Sequence, residues 1–168
     1  MLEIREFEDD DLPLLDKWLH KEYIRKWFEV AGICTIDDWL YEVKNRKGEF
    51  AWINYFIVLR EDSPIGFCTY YKCIDAKEDW YGDMSLERVY SIDYLIGEAK
   101  YLGKGIGKEI IAKLVKMIFS HEEAKGIIVQ PDKNNKASCG VLLSNGFILK
   151  NEIYEMKRDA MNDIIKFE

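Results

Sequence analysis

Gly103, Gly105 and Gly107 occupy alternate positions, interleaved with Lys104 and Ile106 and followed by Lys108. They stand between a strand-like run, Val89 to Ile96, and a helical stripe of Ile110, Ile111, Leu114, Val115 and Ile118. Glycines at such a junction leave backbone N–H groups open to close approach, and the helix start adds the positive end of its dipole. A phosphate or pyrophosphate is the natural occupant, with Lys104 and Lys108 adding charge, although the same cluster also serves as a tight turn. Two better-known nucleotide loops do not fit. Gly107-Lys108 is followed by Glu109 where a Walker loop needs Ser or Thr, and a dinucleotide fingerprint beginning at Gly103 would need glycine at position 108. A second group with chemical capacity is Asp93, set in the apolar run Ile92-Asp93-Tyr94-Leu95-Ile96. A carboxylate is expensive to bury there unless paired, so a substrate cation suits it; the other reading is a strand-edge Asp facing solvent.

Other chemistries find little support. Ser138 and Cys139 lack a G-x-S-x-G context, and His20 and His121 lack a recognisable triad, so nucleophilic catalysis is not indicated. Cys139 reads as helix filling, and Ser138 either bonds a cofactor or stabilises its helix start. Cys34, Cys68, Cys73 and Cys139 form no C-x-x-C pair, which argues against a structural zinc site and against any metal. Asp79, Asp83 and Glu87, with Trp80 and Tyr81, make an acidic aromatic stretch that suits a polycationic amine, the alternative being a solvated surface loop. Trp27 and Phe28 either line the same cleft or cap the core. Tyr94, Tyr101 and Tyr154 read as core aromatics.

The elements that must carry these groups follow from periodicity. Leu2, Ile4 and Phe7 suggest an opening strand, Leu12, Leu15 and Leu19 a helix, and Thr35-Ile36-Asp37-Asp38 the capping box of a second helix. Phe50 to Leu59 and Ile65 to Cys73 predict a hairpin broken at Glu61-Asp62-Ser63-Pro64. Asp75 to Glu87 reads as a long surface loop. After the glycine loop and its helix come a strand at Ile127-Ile128-Val129, a helix near Ala137 to Ser144, and a last strand from about Phe147. The order, βααβββαβαβ, predicts one α/β (α+β) domain over residues 1–168. Composition agrees: 168 residues, 48% hydrophobic, 33% charged and 14% aromatic. The formal charge of −7 disfavours a nucleic-acid partner. An N-terminus with neither basic nor apolar targeting region, and the lack of a bilayer-length apolar run, predict a cytoplasmic protein with reduced thiols and no membrane partner.

The unit Tyr90-Ser91-Ile92-Asp93-Tyr94-Leu95-Ile96-Gly97-Glu98 through Leu102-Gly103-Lys104-Gly105-Ile106-Gly107 resembles the acetyl-CoA motif of the GNAT N-acetyltransferase superfamily. That loop is usually written [RQ]-x-x-G-x-[GA], and Leu102 stands where Arg or Gln is commonest. Leucine before Gly-Lys-Gly is similar to the aminoglycoside 6′-N-acetyltransferase branch. So are Asp9 to Asp11 with Leu12-Pro13-Leu14 and Lys17-Trp18-Leu19, Pro64-Ile65-Gly66-Phe67 with Tyr70-Tyr71-Lys72, and later Pro131-Asp132-Lys133-Asn134-Asn135 and Asn145-Gly146-Phe147. Two positions depart from that branch. Gln130 replaces the carboxylate preceding the late-loop proline, and Leu142 replaces a tyrosine taken as the thiolate's general acid. Asn135-x-x-Ser138-x-x-Val141-Leu142 instead looks like the branch acetylating protein N-termini.

The resemblance implies a central mixed, mostly antiparallel sheet flanked by helices. It also implies acetyl-CoA held by Leu95, Ile96, the loop from Leu102 to Lys108, Asn135 and Ser138. An amine acceptor is mostly ammonium at neutral pH and must lose a proton before attacking the thioester, which makes Asp93 the candidate base. The backbone N–H near Leu95 would face the thioester oxygen. Trp27, Asp79, Asp83, Glu87 and Asp93 are the candidate acceptor contacts. The acceptor so implied is a cationic small molecule, an aminoglycoside being the nearest family suggestion, turned over by a monomer or homodimer. A peptide or protein N-terminal amine, or a low-turnover acyl-CoA sensor, are the alternatives.

Overall fold

The computed structural model describes residues 1–159; the last nine residues of the expected domain, 160–168, lie outside them. Seven strands form one mixed sheet in the order β1-β2-β3-β4-β5-β7-β6. They are β1 (Leu2–Glu6), β2 (Ile53–Arg60), β3 (Ser63–Lys72), β4 (Val89–Ile96), β5 (Gly126–Val129), β6 (Ile148–Lys150) and β7 (Ile153–Lys157). Six helices accompany them: α1 (Leu12–Leu19), α2 (Glu22–Phe28), α3 (Ile36–Lys44), α4 (Cys73–Ala76), α5 (Ile106–Phe119) and α6 (Lys136–Ser144). β1–β2, β5–β7 and β6–β7 are antiparallel and β4–β5 is parallel, so the expected fold class is borne out.

The chain divides into two compact units. The first comprises Met1–Thr69 and Tyr94–Ile106. Leu15, Trp18 and Leu19, three and four residues apart, put one apolar face of α1 fully inside. Arg5 donates to both carboxylate oxygens of Asp11 at 2.7 and 2.8 Å, and Asp11 also accepts from the Glu8 amide at 2.8 Å. That fork ties β1 to the start of α1 and explains why a carboxylate is buried there. Thr35 and Asp38 close the reciprocal box that starts α3. Glu61 and Asp62 are both left-handed, with φ of 49° and 62°, and form the whole turn into β3. The expected four-residue break is therefore half that length, and Pro64 lies inside the strand.

Three further expectations are corrected here. Phe50 to Trp52 are turn rather than strand, so β2 begins at Ile53, and their rings pack locally with Phe50 against Tyr41 and Trp52. A separate helix, α2, fills the stretch after Leu19, because the chain turns at His20 and Lys21 and restarts. The expected last strand is two, folded at Asn151 and Glu152 with φ of 49° and 67°.

The second unit comprises Tyr70–Asp93 and the residues from Gly107 onward. Ile110, Ile111, Leu114 and Ile118 of α5 are 0% exposed, and each such side chain contributes roughly 1.5–3 kcal/mol by leaving water. Arg158 ties the end of that helix to β7, donating to the carbonyls of Ala124 at 2.7 Å, His121 at 2.7 Å and Phe119 at 3.3 Å. Asp75 to Glu87 is not a plain loop. Tyr81 is buried against Cys73 and Ile128, its ring tilted at 57° to that of Trp80 with centroids 4.4 Å apart, and Ala76, Met84, Leu86, Val89 and Ile153 lie around them. Four cysteines are free thiols; Cys68 and Cys73 are fully buried, whereas Cys34 and Cys139 are half-buried.

Candidate active site

In the first unit the end of β4 is held from both sides by backbone-to-ring and backbone-to-backbone contact. A Cβ on Gly66 would stand 2.5 Å from the Leu95 carbonyl oxygen, and a Cβ on Gly97 would stand 2.1 Å from the Trp18 ring. Glycine at both places lets β3 and α1 close on the strand. The Trp18 indole N–H donates to Glu98 at 2.8 Å, which holds that carboxyl below the usual range. Lys21 donates to the Gly97 carbonyl at 2.6 Å; the Tyr23 hydroxyl reaches the same oxygen at 2.8 Å and that of Ile96 at 3.2 Å. Leu95 is buried, Ile96 half-buried, and the backbone between Leu95 and Glu98 is consequently fixed from α1 and α2. Sequence reading missed Lys21 and Tyr23. Their signal, a Lys and a Tyr at the start of a short helix, is too ordinary to single out.

The glycine loop follows after a single 3₁₀ turn, Ala99–Tyr101. Gly103 and Gly105 have φ of +69° and +78°, a region that L side chains enter at a cost, and a Cβ on either would meet nothing within 4 Å. The glycines are thus required by conformation, and the space above them is open. Leu102, Gly103, Lys104 and Gly105 are exposed, Ile106 and Gly107 are buried, and Lys108 is exposed on the first turn of α5. The first amides of α5 have no partner within the helix, so an exposed, lysine-flanked loop running into them fits a pyrophosphate by the chemistry of its donors. Gly105→Val should weaken acetyl-CoA binding about tenfold or more in calorimetry, since a branched residue resists the left-handed conformation by at least ~1–2 kcal/mol. Parent-like affinity would remove the loop from the cofactor site.

In the second unit Asp93 is half-buried on β4. Ser91, two residues earlier on the same face of the strand, is 2% exposed, and Tyr71 of the adjacent β3 is 7% exposed. Burial pushes the Tyr71 phenol well above its ordinary range, and the negative charges of Asp93 and Glu78 push it further. Tyr81 is raised by burial too, with Cys73, Glu78 and Asp93 adding to it. The Tyr81 hydroxyl, beside the Cys73 thiol, makes no hydrogen bond of normal geometry, and the thiol's own burial pushes its pKa up to about 12. The charge of Asp93 is thus felt by two buried phenols, Tyr71 and Tyr81, which come from separate segments and which no spacing rule reveals.

β4 and β5 are in register at Val89 with Gly126 and at Tyr90 with Ile127. Gln130 follows the last residue of β5, Val129. Gln130 also lines a cavity of about 580 Å³ with Asp132, Lys133, Cys139, Glu152 and Tyr154. Its wall is neutral or of mixed sign. Tyr154, expected as core, is 6% exposed and lies beside the Cys139 thiol, which raises its phenol's pKa. Leu142, in the position of the branch tyrosine, is 1% exposed. Asn135 is the N-cap of α6, its Oδ1 accepting from the Ser138 amide at 3.2 Å, so both residues have a structural task at the helix start whatever else they contact.

The candidate acceptor contacts are scattered. Asp79, Asp83 and Glu87 are exposed, and Glu87 lies 3.5 Å from Arg88. With Tyr81 buried against Cys73, its ring is not offered to a ligand, which corrects the aromatic clamp expected from Trp80 and Tyr81. Trp27 is half-buried on α2, with the Lys26 ammonium 4.9 Å from its ring.

The mixed sheet, parallel between β4 and β5, carries a carboxylate on β4, and a glycine loop leads into α5. The acetyltransferase (GNAT) domain family matches residues 8–155, and the chain belongs to that family. Its class is that of the acetyl-CoA-dependent N-acetyltransferases. An aminoglycoside N(6′)-acetyltransferase type 1 from Klebsiella pneumoniae is 26% identical over 149 residues, 86% of this chain and 72% of that protein. The crystal structure of the aminoglycoside acetyltransferase AAC(6′)-Ib in complex with coenzyme A superposes with a TM-score of 0.83 at 21% identity, covering 97% of this chain and 98% of that one. An uncharacterised protein from Bacillus halodurans reaches a TM-score of 0.80 at 17% identity, over 96% and 86% of the two chains. Among the described residues no helix is long and apolar enough to cross a membrane.

Proposed function

We propose that this protein, as one domain, transfers the acetyl group of acetyl-CoA to the primary amine of a cationic small molecule, by direct attack with Asp93 as the base. The observation that carries the reading is Asp93 itself, a half-buried carboxylate on β4 whose charge raises the buried phenols of Tyr71 and Tyr81. An ammonium brought to such a carboxylate is attracted by it and then gives it the proton, after which the free amine attacks the thioester carbon. The departing group is the CoA thiolate, which takes up a proton; the acceptor leaves as its acetamide, and Asp93 is regenerated when it gives up its proton, without a covalent enzyme intermediate. Backbone amides of Leu102 to Lys108 would hold the pyrophosphate, with Leu95 and Ile96 offering backbone groups to the pantetheine arm and thioester, and Asn135 and Ser138 lying along it.

Aminoglycosides are the first acceptors to try, since the curated relatives carry that name. The acidic residues Asp79, Asp83 and Glu87 remain the long-range attraction for such a polycation, with Trp27 a further contact. A peptide N-terminus is the second reading. It is favoured by the cavity below Gln130, where the branch carboxylate is a neutral amide and lysines alternate with carboxylates. Thiol release from acetyl-CoA, measured with aminoglycosides, polyamines and N-terminal peptides in parallel, tests the choice. Turnover is expected with the cationic small molecules. Turnover confined to peptides overturns the acceptor assignment, and acetyl-CoA binding without turnover on any amine would make the chain a sensor.

A further inference from the structure

Lys21 and Tyr23 are side chains of the first unit to which the reaction outlined above gives no task. Both are half-buried, Lys21 at the N-cap of α2 and Tyr23 in its first turn. The Lys21 ammonium donates to the Gly97 carbonyl at 2.6 Å and lies 3.8 Å from Glu98; the Tyr23 hydroxyl is 2.8 Å from the same carbonyl oxygen and 3.2 Å from that of Ile96. On the other side, the amides of Gly97 and Glu98 donate to one acceptor, the Ile65 carbonyl of β3, at 2.7 and 3.4 Å. Successive carbonyls of a regular strand point to opposite edges. Here two in succession face α2, so strand geometry ends at Ile96 and the chain is steered into the 3₁₀ turn Ala99–Tyr101 and on to Leu102 and Gly103. The steering element is itself held: Ile24 is 3% exposed, and at the far end of α2 the Trp39 indole N–H donates to the Phe28 carbonyl at 2.8 Å.

We propose that Lys21 and Tyr23 are positioning residues for acetyl-CoA: by holding the Ile96 and Gly97 carbonyls against α2, they set the spacing between the backbone at Leu95 and Ile96 and the glycine loop. The inference rests on the reading that the first place takes the pantetheine arm and thioester and the second the pyrophosphate. Acetyl-CoA must engage both at once, so its affinity contains a tethering advantage that exists only while their separation matches the length of the ligand. The same spacing decides where the thioester stops along β4, and so the alignment in which an amine can attack it. Neither side chain touches a reactant; both act through backbone.

Tyr23→Phe keeps the ring, Lys21→Met keeps the stem, and each alone leaves the other donor on Gly97. Calorimetry is run with acetyl-CoA and with its two halves, adenosine 3′-phosphate 5′-diphosphate and S-acetylpantetheine, each half read from the shift it causes in an acetyl-CoA titration. In the double variant acetyl-CoA affinity is expected to fall ~10-fold, part of the roughly 10²- to 10⁴-fold that tethering supplies, while each half binds as it does to the parent. The single variants show the same pattern at ~2- to 3-fold each, because the donors share an acceptor and their effects are not additive. Unchanged acetyl-CoA affinity in the double variant overturns the proposal. So does a loss that either half shares, since that is damage to one place rather than to the spacing of two. Gly105→Val separates this failure from that of the cofactor reading. If the nucleotide half binds Gly105→Val as tightly as the parent, the loop is not the pyrophosphate site. If Gly105→Val weakens the nucleotide half while the double variant leaves acetyl-CoA affinity unchanged, only the positioning role is removed.

Discussion

Asp93→Asn should lower acetyl transfer by about 10²- to 10⁴-fold, the usual contribution of a general base, while acetyl-CoA binds as it does to the parent. The substitution keeps the size of the side chain and removes its ability to accept a proton. The deficit should shrink at high pH, where more of the acceptor is already free amine and needs no base. If the carboxylate also holds the ammonium before deprotonation, KM for a cationic acceptor rises as kcat falls. Salt then raises KM further in the parent than in the variant, because only the parent has the ion pair to screen. Steady-state kinetics against both substrates, with calorimetry for acetyl-CoA, distinguish these effects. A folded Asp93→Asn protein with unchanged turnover would move the search for a base to Glu87 or Asp83, both exposed and on the same unit.

Gly97→Ala is expected to have the largest effect on stability of any single methyl addition considered. The new Cβ would lie 2.1 Å from the Trp18 ring, inside any real contact distance, and Trp18 is 0% exposed with its indole N–H committed to Glu98. Either the ring leaves its bond to Glu98 or the end of β4 moves off the Lys21 and Tyr23 donors. Overpacking of this kind costs about 3 kcal/mol, which for a chain of this length lowers the midpoint of thermal unfolding by roughly 6–12 °C. The double variant with Trp18→Ala should be far less unstable than the sum of the two single changes, since the methyl then occupies space the ring has left. Additive losses in that cycle would mean that the glycine is needed for some reason other than the ring.

Much of the architecture was open to a reader of the sequence because local signals and packing agree there. The stripe of Ile110, Ile111, Leu114 and Ile118 has a helical period and lies fully inside, and Thr35 with Asp38 forms the expected box. Where the reading failed, tertiary packing overrode a weak local signal. Phe50 and Trp52 have strand propensity but satisfy one another within a turn, and the polar run around Tyr81 conceals one ring that belongs to the core. The glycine loop was legible because its residue types are dictated by backbone conformation, positive φ at Gly103 and Gly105. The surroundings of Asp93 were not, because contacts between β3, β4 and the segment at Tyr81 have no fixed spacing along the chain. Gly66 and Gly97 are intermediate cases: each is visible in a strand-like run, but only the neighbour at 2.5 or 2.1 Å says why glycine is required.

The distribution of the four cysteines bears on how turnover is best followed. Disulfide exchange with a chromogenic reagent counts thiolates, and the CoA released at each cycle is one. Cys73, with its pKa pushed up to about 12, is a thiolate in only ~10⁻⁵ of molecules at pH 7, and Cys68 in fewer still. Both are also walled off from the reagent, being 0% exposed. The native protein therefore contributes background signal from Cys34 and Cys139 alone, a fixed offset of at most two equivalents. A signal that climbs beyond that offset with no acetyl-CoA present would report unfolding, so the two silent thiols supply an internal check on the integrity of every variant assayed.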